Sequence, residues 1–347
     1  MTKPADQQPG QSAHIVQQVQ QVQNVQNVQD PAPGSVQSQA MALAYSQRAT
    51  LGEGLFWDDA RSLWWWTDIE GSTLYAWAPD AAEARSYRLQ DRVGSFVRCR
   101  SGRLLLGMAK RLAFATIPDE AMPHRHMHVE TIVPVDPAEP RTRINDGRTD
   151  RRGYFVFGTI NEAAEKRPIG SFYQYSLQHG LRRLALPAVA IANSICFSPD
   201  GATMYFTDTL PRRIMQCRYH AESAQVSELR VFAEMTERRA FPDGSVIDCN
   251  GCLWNAQWGA GQVAQYAPDG TLMQTFSAAA WHTSCPAIGG PQGDQLMVTT
   301  ARAELRSDQL ERMPLSGSVF GATLPQPLAL AEALFDDDAG NVGGSQR

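Results

Sequence analysis

A short turn followed by an apolar run recurs along this chain about six times, at intervals of roughly 40 to 50 residues, the period of a propeller blade. The turns read D-D-A-R-S-L-W, R-S-G-R-L-L-L, D-R-R-G-Y-F, D-G-A-T-M-Y, D-C-N-G-C-L-W and P-Q-G-D-Q-L-M. They open onto runs such as L-W-W-W-T-D, L-L-L-G-M, Y-F-V-F-G and M-Y-F-T-D, and a second short element follows in most units, as in G-S-T-L-Y-A-W and G-S-F-Y-Q-Y. Alternation, aromatic and β-branched enrichment, and punctuation by Gly, Pro and Asp make these elements strands. No long segment carries a helical apolar stripe. The pattern predicts an all-β fold, a six-bladed β-propeller with four-stranded blades. The G-H and W-D signatures of a WD40 array are absent from the expected places.

By length alone, 347 residues would admit two domains, but propellers exceed the usual limit as one unit and no linker interrupts the repeats. The propeller is expected at 45–335, with a flexible tail at 336–347. From Val16 to Gln29 the chain runs V-Q-Q-V-Q-Q-V-Q-N-V-Q-N-V-Q, a three-residue period that fits neither a helix face nor a strand face. Residues 1–44 are therefore expected as a disordered low-complexity extension, with the functional start near Met41. A formal charge of -5 with no basic run argues against nucleic acid or an anionic membrane as partner. Without a signal-peptide core or an apolar segment of membrane-spanning length, the expected location is cytoplasmic.

Six cysteines spread through the chain, mostly inside predicted strands, read as small hydrophobes. Cys249 and Cys252 form a C-x-x-C, but it occupies the turn of its unit and no second pair completes a zinc site. His124, His126 and His128 lie in a polar connection without a carboxylate at ligand phase, so they read as a solvated loop.

Four polar residues, Glu53, Asn145, Asn193 and Asp243, each sit five to seven residues upstream of one of the turns. Residues at one phase of a closed repeat array converge on its axis, and this set reads as a metal site. Each alone has a plainer explanation, since Asn and Asp before a turn commonly bond local backbone and P-D-G is an ordinary turn sequence. The shared phase favours the site. Asp68 and Asp248 read as structural, whereas Asp208 is a candidate to face the channel.

The stretches G-E-G-L-F-W at Gly52, R-I-N-D-G-R-T-D-R-R-G at Arg143, N-S-I-C-F-S-P-D-G at Asn193, P-D-G-S-V-I-D at Pro242 and T-S-C-P-A-I-G-G-P at Thr283 resemble, in order, the signatures of the regucalcin and gluconolactonase family. The resemblance runs from about Leu51 to Ala301 and implies a sugar-acid lactonase. It implies that Glu53, Asn193 and Asp243 bind one divalent cation, that Asp243 is also the acid/base, and that Arg143 and Asn145 hold the substrate. The family's acidic pair after G-T-M appears here as Asn161-Glu162, leaving Glu162 as the acidic substrate contact, and Ser194 stands where the family has Gly. These departures bear on substrate choice more than on catalysis. The tail from Thr299 to Phe320 most resembles that of bacterial pentonolactonases, which makes L-arabinono-1,4-lactone the first expected substrate, with glucono-, xylono- and galactonolactones as alternatives. A calcium-binding regulator of the regucalcin kind and a noncatalytic propeller are the other classes open to such a chain.

The chemistry is consistent with these assignments. A cation beside a lactone carbonyl stabilises the charge that develops as water attacks, and a carboxylate nearby can take the water's proton. Two carboxylates and an amide make an all-oxygen set suited to Ca²⁺, Mg²⁺ or Mn²⁺, with Zn²⁺ and Fe²⁺ as further candidates. Arg143, always charged, and Asn145, both donor and acceptor, suit a ring of hydroxyls. Because the three expected ligands lie elsewhere in the repeat, substrate and cation contacts are expected to be separable by mutation.

Overall fold

The computed structural model describes residues 36–118 and 127–338. Its strands form six sheets arranged as blades, each built on four antiparallel strands, a six-bladed β-propeller as the repeat predicts. The inner strands are Gly52–Asp58, Val93–Arg98, Thr142–Thr149, Ala192–Phe197, Phe241–Ile247 and Thr283–Gly289, for blades 1 to 6. Each inner strand touches the next and the last touches the first, which closes the ring. Among the described residues one short helix, Ser307–Arg312, lies in the connection between the blade 6 strands Gln295–Thr300 and Val319–Thr323. Among the described residues no helix is long and apolar enough to cross a membrane.

The core is divided among the six blade interfaces. Period-2 alternation sends successive side chains of one strand to opposite faces. Thus Trp65 packs with Phe56 and Phe96 between blades 1 and 2, while Trp64 and Trp66 pack with Ala287 and Met297 between blades 6 and 1. Burial on both faces explains why the runs are continuously apolar rather than alternating.

Ring closure changes one expected boundary. Ala42–Tyr45 pairs with Val319–Thr323 and supplies the outermost strand of blade 6, and Gln37–Ala40 lies parallel to Leu272–Ser277 as a fifth strand of blade 5. The propeller therefore takes in residues placed in the expected extension at 1–44. Met41 is buried between blades 5 and 6, and the Tyr45 ring lies 5.5 Å from both Trp66 and Trp77, so this short apolar piece has core to fill. Residues 1–35, with the Val-Gln tract, lie outside the described residues, as do His124 and His126. His128 is exposed and begins the strand His128–Pro134.

At its other end the chain crosses the face made by the turns. Leu328 N donates to Gly293 O, Cys249 N to Leu328 O, Arg151 Nη1 to Ala331 O and Phe335 N to Arg98 O, a path from blade 6 to blade 2. Arg148 on the blade 3 inner strand pairs with Glu332 along the way. Asp336 and Asp337 pair with Arg100 and Arg103, so packed structure continues past the expected limit at 335, and 339–347 lie outside the described residues.

The aspartates that end apolar runs hold backbone. Asp68 accepts from Thr50 N, Leu51 N and Gly71 N, and Asp248 from Asn250 N, Cys252 N and Trp254 Nε1, as expected of structural groups. Asp208 does not face the channel as a free group. Its two oxygens accept Ala190 N and Ile191 N at 3.1 Å, the same use of the T-D strand end in blade 4 that Asp68 makes in blade 1.

Candidate active site

Every inner strand carries a register shift near its start, between Glu53 and Phe56, Val93 and Ser95, Ile144 and Gly147, Asn193 and Cys196, Pro242 and Ser245, and Thr283 and Pro286. Such bulges bend a strand and re-aim its side chains. Here they fall at Glu53, Asn145, Asn193 and Asp243, at one level of the ring. The residue after Glu53 and the residue after Asn193 both take left-handed backbone, Gly54 at φ 61° and Ser194 at φ 60°. Ser194 compensates for its disfavoured geometry with a hydrogen bond from Oγ to the Asp243 carbonyl, which joins blades 4 and 5 beside the site.

Glu53, Arg143, Asn145, Glu162, Asn193 and Asp243 all line one cavity of about 340 Å³. The expected site residues are thus brought together without exception. All but Glu162 are buried, and Glu162 lies at the mouth.

A directional hydrogen-bond chain runs around the cavity wall. Arg92 donates to both Glu162 oxygens at 2.6 and 2.9 Å, and Arg143 Nε lies 3.3 Å from the same carboxylate. Arg143 Nη1 donates to Asn145 Oδ1 at 2.6 Å, and Asn145 Nδ2 to Asn193 Oδ1 at 2.7 Å. Asn193 Nδ2 donates to Thr209 Oγ1 at 2.9 Å, and Thr209 donates to Pro242 O at 3.0 Å. Because each donor is committed, the Asn193 amide is fixed with its oxygen toward Asn145, and a carbonyl oxygen has a second lone pair for another partner. The chain joins Asn145, expected at the substrate, directly to Asn193, expected at the metal, a contact that the spacing of the two residues did not suggest.

Glu53 and Asp243 stand outside this chain. Glu53 accepts only the Gly54 N–H at 3.3 Å, and among the described residues neither carboxylate has an ion-pair partner. Burial, then the charge of Asp146, pushes Glu53 up to about 8. Burial, then Glu53 and then Asp146, raises Asp243 well above the usual carboxylate range. Asp146 is itself raised by burial, and its Oδ2 accepts Ile195 N at 2.7 Å. Desolvated carboxylates without a cation are costly, and in such surroundings a bound cation offsets the repulsion. Two carboxylates beside an oriented amide oxygen fit a hard divalent ion held by Glu53, Asn193 and Asp243. No group of three or more His, Cys, Asp or Glu side chains suited to a metal occurs among the described residues, so the donor set depends on the amide.

Sequence reasoning passed over several residues of the cavity. Asp146 stood within a quoted motif but received no role, although its adjacency to Asn145 was visible. Trp258 ends the second strand of its blade at the place of Asp68 and Asp208, while Thr209, Lys166 and Glu304 lie in the connections, and only the fold brings them to the cavity.

Fold and cavity together define a six-bladed propeller with an acidic site on its axis. The SMP-30/Gluconolactonase/LRE-like region matches residues 51–302, and the chain belongs to that family. An L-arabinolactonase of Azospirillum brasilense is 42% identical over 286 residues, covering 82% of this chain and 91% of that one. Regucalcin of Xenopus laevis is 27% identical over 283 residues, covering 80% and 92%. The crystal structure of a calcium-binding protein, regucalcin, from Agrobacterium tumefaciens superposes with a TM-score of 0.78 at 28% identity, covering 87% of this chain and 99% of that one.

Proposed function

We propose that this protein is a divalent-cation-dependent hydrolase that opens a sugar-acid lactone to the aldonic acid, with L-arabinono-1,4-lactone as the first substrate to test. The observation that carries the reading is the pair of buried carboxylates, Glu53 and Asp243, without an ion-pair partner among the described residues, beside the oriented Asn193 amide in a cavity of sugar size. The 42% identity to an L-arabinolactonase supports the choice of substrate.

A cation held by Glu53, Asn193 and Asp243 would polarise the lactone carbonyl and acidify water. The Asp243 carboxylate takes a proton from the attacking water as the new C–O bond forms, and returns it to the ring oxygen as the acyl C–O bond breaks. Water and lactone are consumed and one hydroxy acid is formed. Arg143 and Asn145 orient the substrate, and Glu162, itself held by Arg92, lies against Arg143 Nε. Ca²⁺, Mg²⁺ and Mn²⁺ rank first on donor chemistry.

Hydrolysis of a panel of pentono- and hexonolactones, followed by pH-stat with metal-stripped and reconstituted protein, tests the reading. Turnover that disappears on stripping and returns with a divalent ion is expected. Full activity in the stripped protein, or no turnover of any lactone, overturns it.

A further inference from the structure

Two charged residues at the cavity mouth stand in left-handed backbone, Lys166 at φ 46° in blade 3 and Glu304 at φ 64° in blade 6. This conformation crowds a Cβ against the following carbonyl, so it persists where the surroundings hold it. Around Glu304 they do. Arg302 N and Ala303 N both donate to Thr50 O, at 3.0 and 2.8 Å, and Ala301 N donates to His282 O at 2.9 Å. His282 Nδ1 lies 3.0 Å from Ala303 O, and burial lowers this imidazole to about 4, so its neutral Nδ1–H is the donor. The same ring stacks on Trp258 with centroids 4.0 Å apart, and Trp258 forms cavity wall. Opposite, Lys166 Nζ donates to Asn161 O at 2.9 Å, leaving two of its three N–H donors.

The Glu304 carboxylate is reachable from the mouth and, among the described residues, has no hydrogen-bond or ion-pair partner. An acceptor-only group and a donor-only group face one cavity from rigid anchors beside an indole. That combination matches a polyol ring, whose hydroxyls donate and accept and whose C–H face packs on an aromatic.

We propose that Glu304, with Lys166 opposite, is a specificity-determining residue that binds the hydroxyls away from the ester, so that the site selects polyhydroxylated lactones over unsubstituted ones. This rests on the lactonase reading. Desolvation at the mouth raises the Glu304 carboxyl, and the charge of Lys166 acts against that rise.

The test compares wild type, Glu304→Ala and Glu304→Gln on L-arabinono-1,4-lactone and γ-butyrolactone, with calorimetric binding of L-arabinitol, a polyol without an ester. In Glu304→Ala the ratio of kcat/KM for the hydroxylated over the plain lactone should fall roughly 10- to 100-fold, chiefly through KM, with partial recovery in Glu304→Gln. L-arabinitol binding should weaken by a similar factor and cation affinity should hold. An unaltered ratio, whether both lactones lose activity equally or neither does, overturns the proposal. Should wild type hydrolyse no lactone, the lactonase reading falls. L-arabinitol then decides separately: binding that weakens in Glu304→Ala upholds the hydroxyl contact, and binding that is absent or insensitive to the substitution rejects it.

Discussion

Glu53 shows how one buried side chain can work against the fold. Its carboxyl ionises near 4.5 in ordinary surroundings and near 8 here, because burial and Asp146 penalise the charge. The folded protein therefore holds a proton that the unfolded chain releases, and stability present below about 4.5 is lost as pH rises through 8. Glu53→Gln removes that dependence. We expect metal-free wild type and Glu53→Gln to melt at similar temperatures at pH 5, with wild type falling below the variant at pH 8.5. Equal melting temperatures at both values would show that Glu53 is not desolvated in this way. If Glu53 is a cation ligand as proposed, the cation would bind its ionised form, so added metal should close the gap at high pH and lose affinity on acidification. Asp243→Asn keeps the shape but removes the charge of the proposed ligand and base. Loss of about 10²–10⁴ in turnover is the expected scale for the base alone. Full cation affinity and full rate in this variant would remove Asp243 from the site.

The strand is the scale at which the site is made. Periodicity, turn residues and aromatic runs were enough to place the blades, since each follows from the two-sided burial of a short strand. The phase of Glu53, Asn193 and Asp243 was legible for the same reason, because a repeat maps position onto distance from the axis. The bulges were not legible. A bulge adds one residue to a strand without altering its composition, and only Gly54 hinted at one, while Ser194 concealed its equivalent. The contact between Asn145 and Asn193 was also hidden, because it joins neighbouring blades across a gap of 48 residues. Its consequence can be measured. Asn145→Ala removes the donor that orients the Asn193 oxygen, and loss of such an outer partner costs roughly 10- to 100-fold in metal affinity. Cation titration of this variant should show that loss alongside reduced turnover. Unchanged affinity would restore the separation of substrate and cation roles that sequence spacing suggested.

Across the whole molecule, the ring is closed by a strand that composition assigned to an extension. The reason lies in scale: A-L-A-Y is too short to announce a strand, and its partner, Val319–Thr323, lies near the other end of the chain. A propeller has no sheet order along the chain to enforce its last interface, so blade 6 depends on this non-local pairing. Deleting residues 1–35 removes the Val-Gln tract, which lacks the composition to fill a core, and should leave melting temperature and turnover unchanged. Deletion of residues 1–45 goes further. It removes Met41 from the interface of blades 5 and 6, the outer strand of blade 6, and Tyr45, whose hydroxyl accepts Ala84 N at 3.0 Å from blade 1. Loss of a buried methionine side chain such as Met41 alone costs about 2–5 kcal/mol, a large share of the net stability of many domains. Thermal melts of the two truncations should therefore differ sharply, with the longer one melting far lower or failing to fold. If both melt with the full chain, the ring holds without its N-terminal strand, and the closure described here is dispensable.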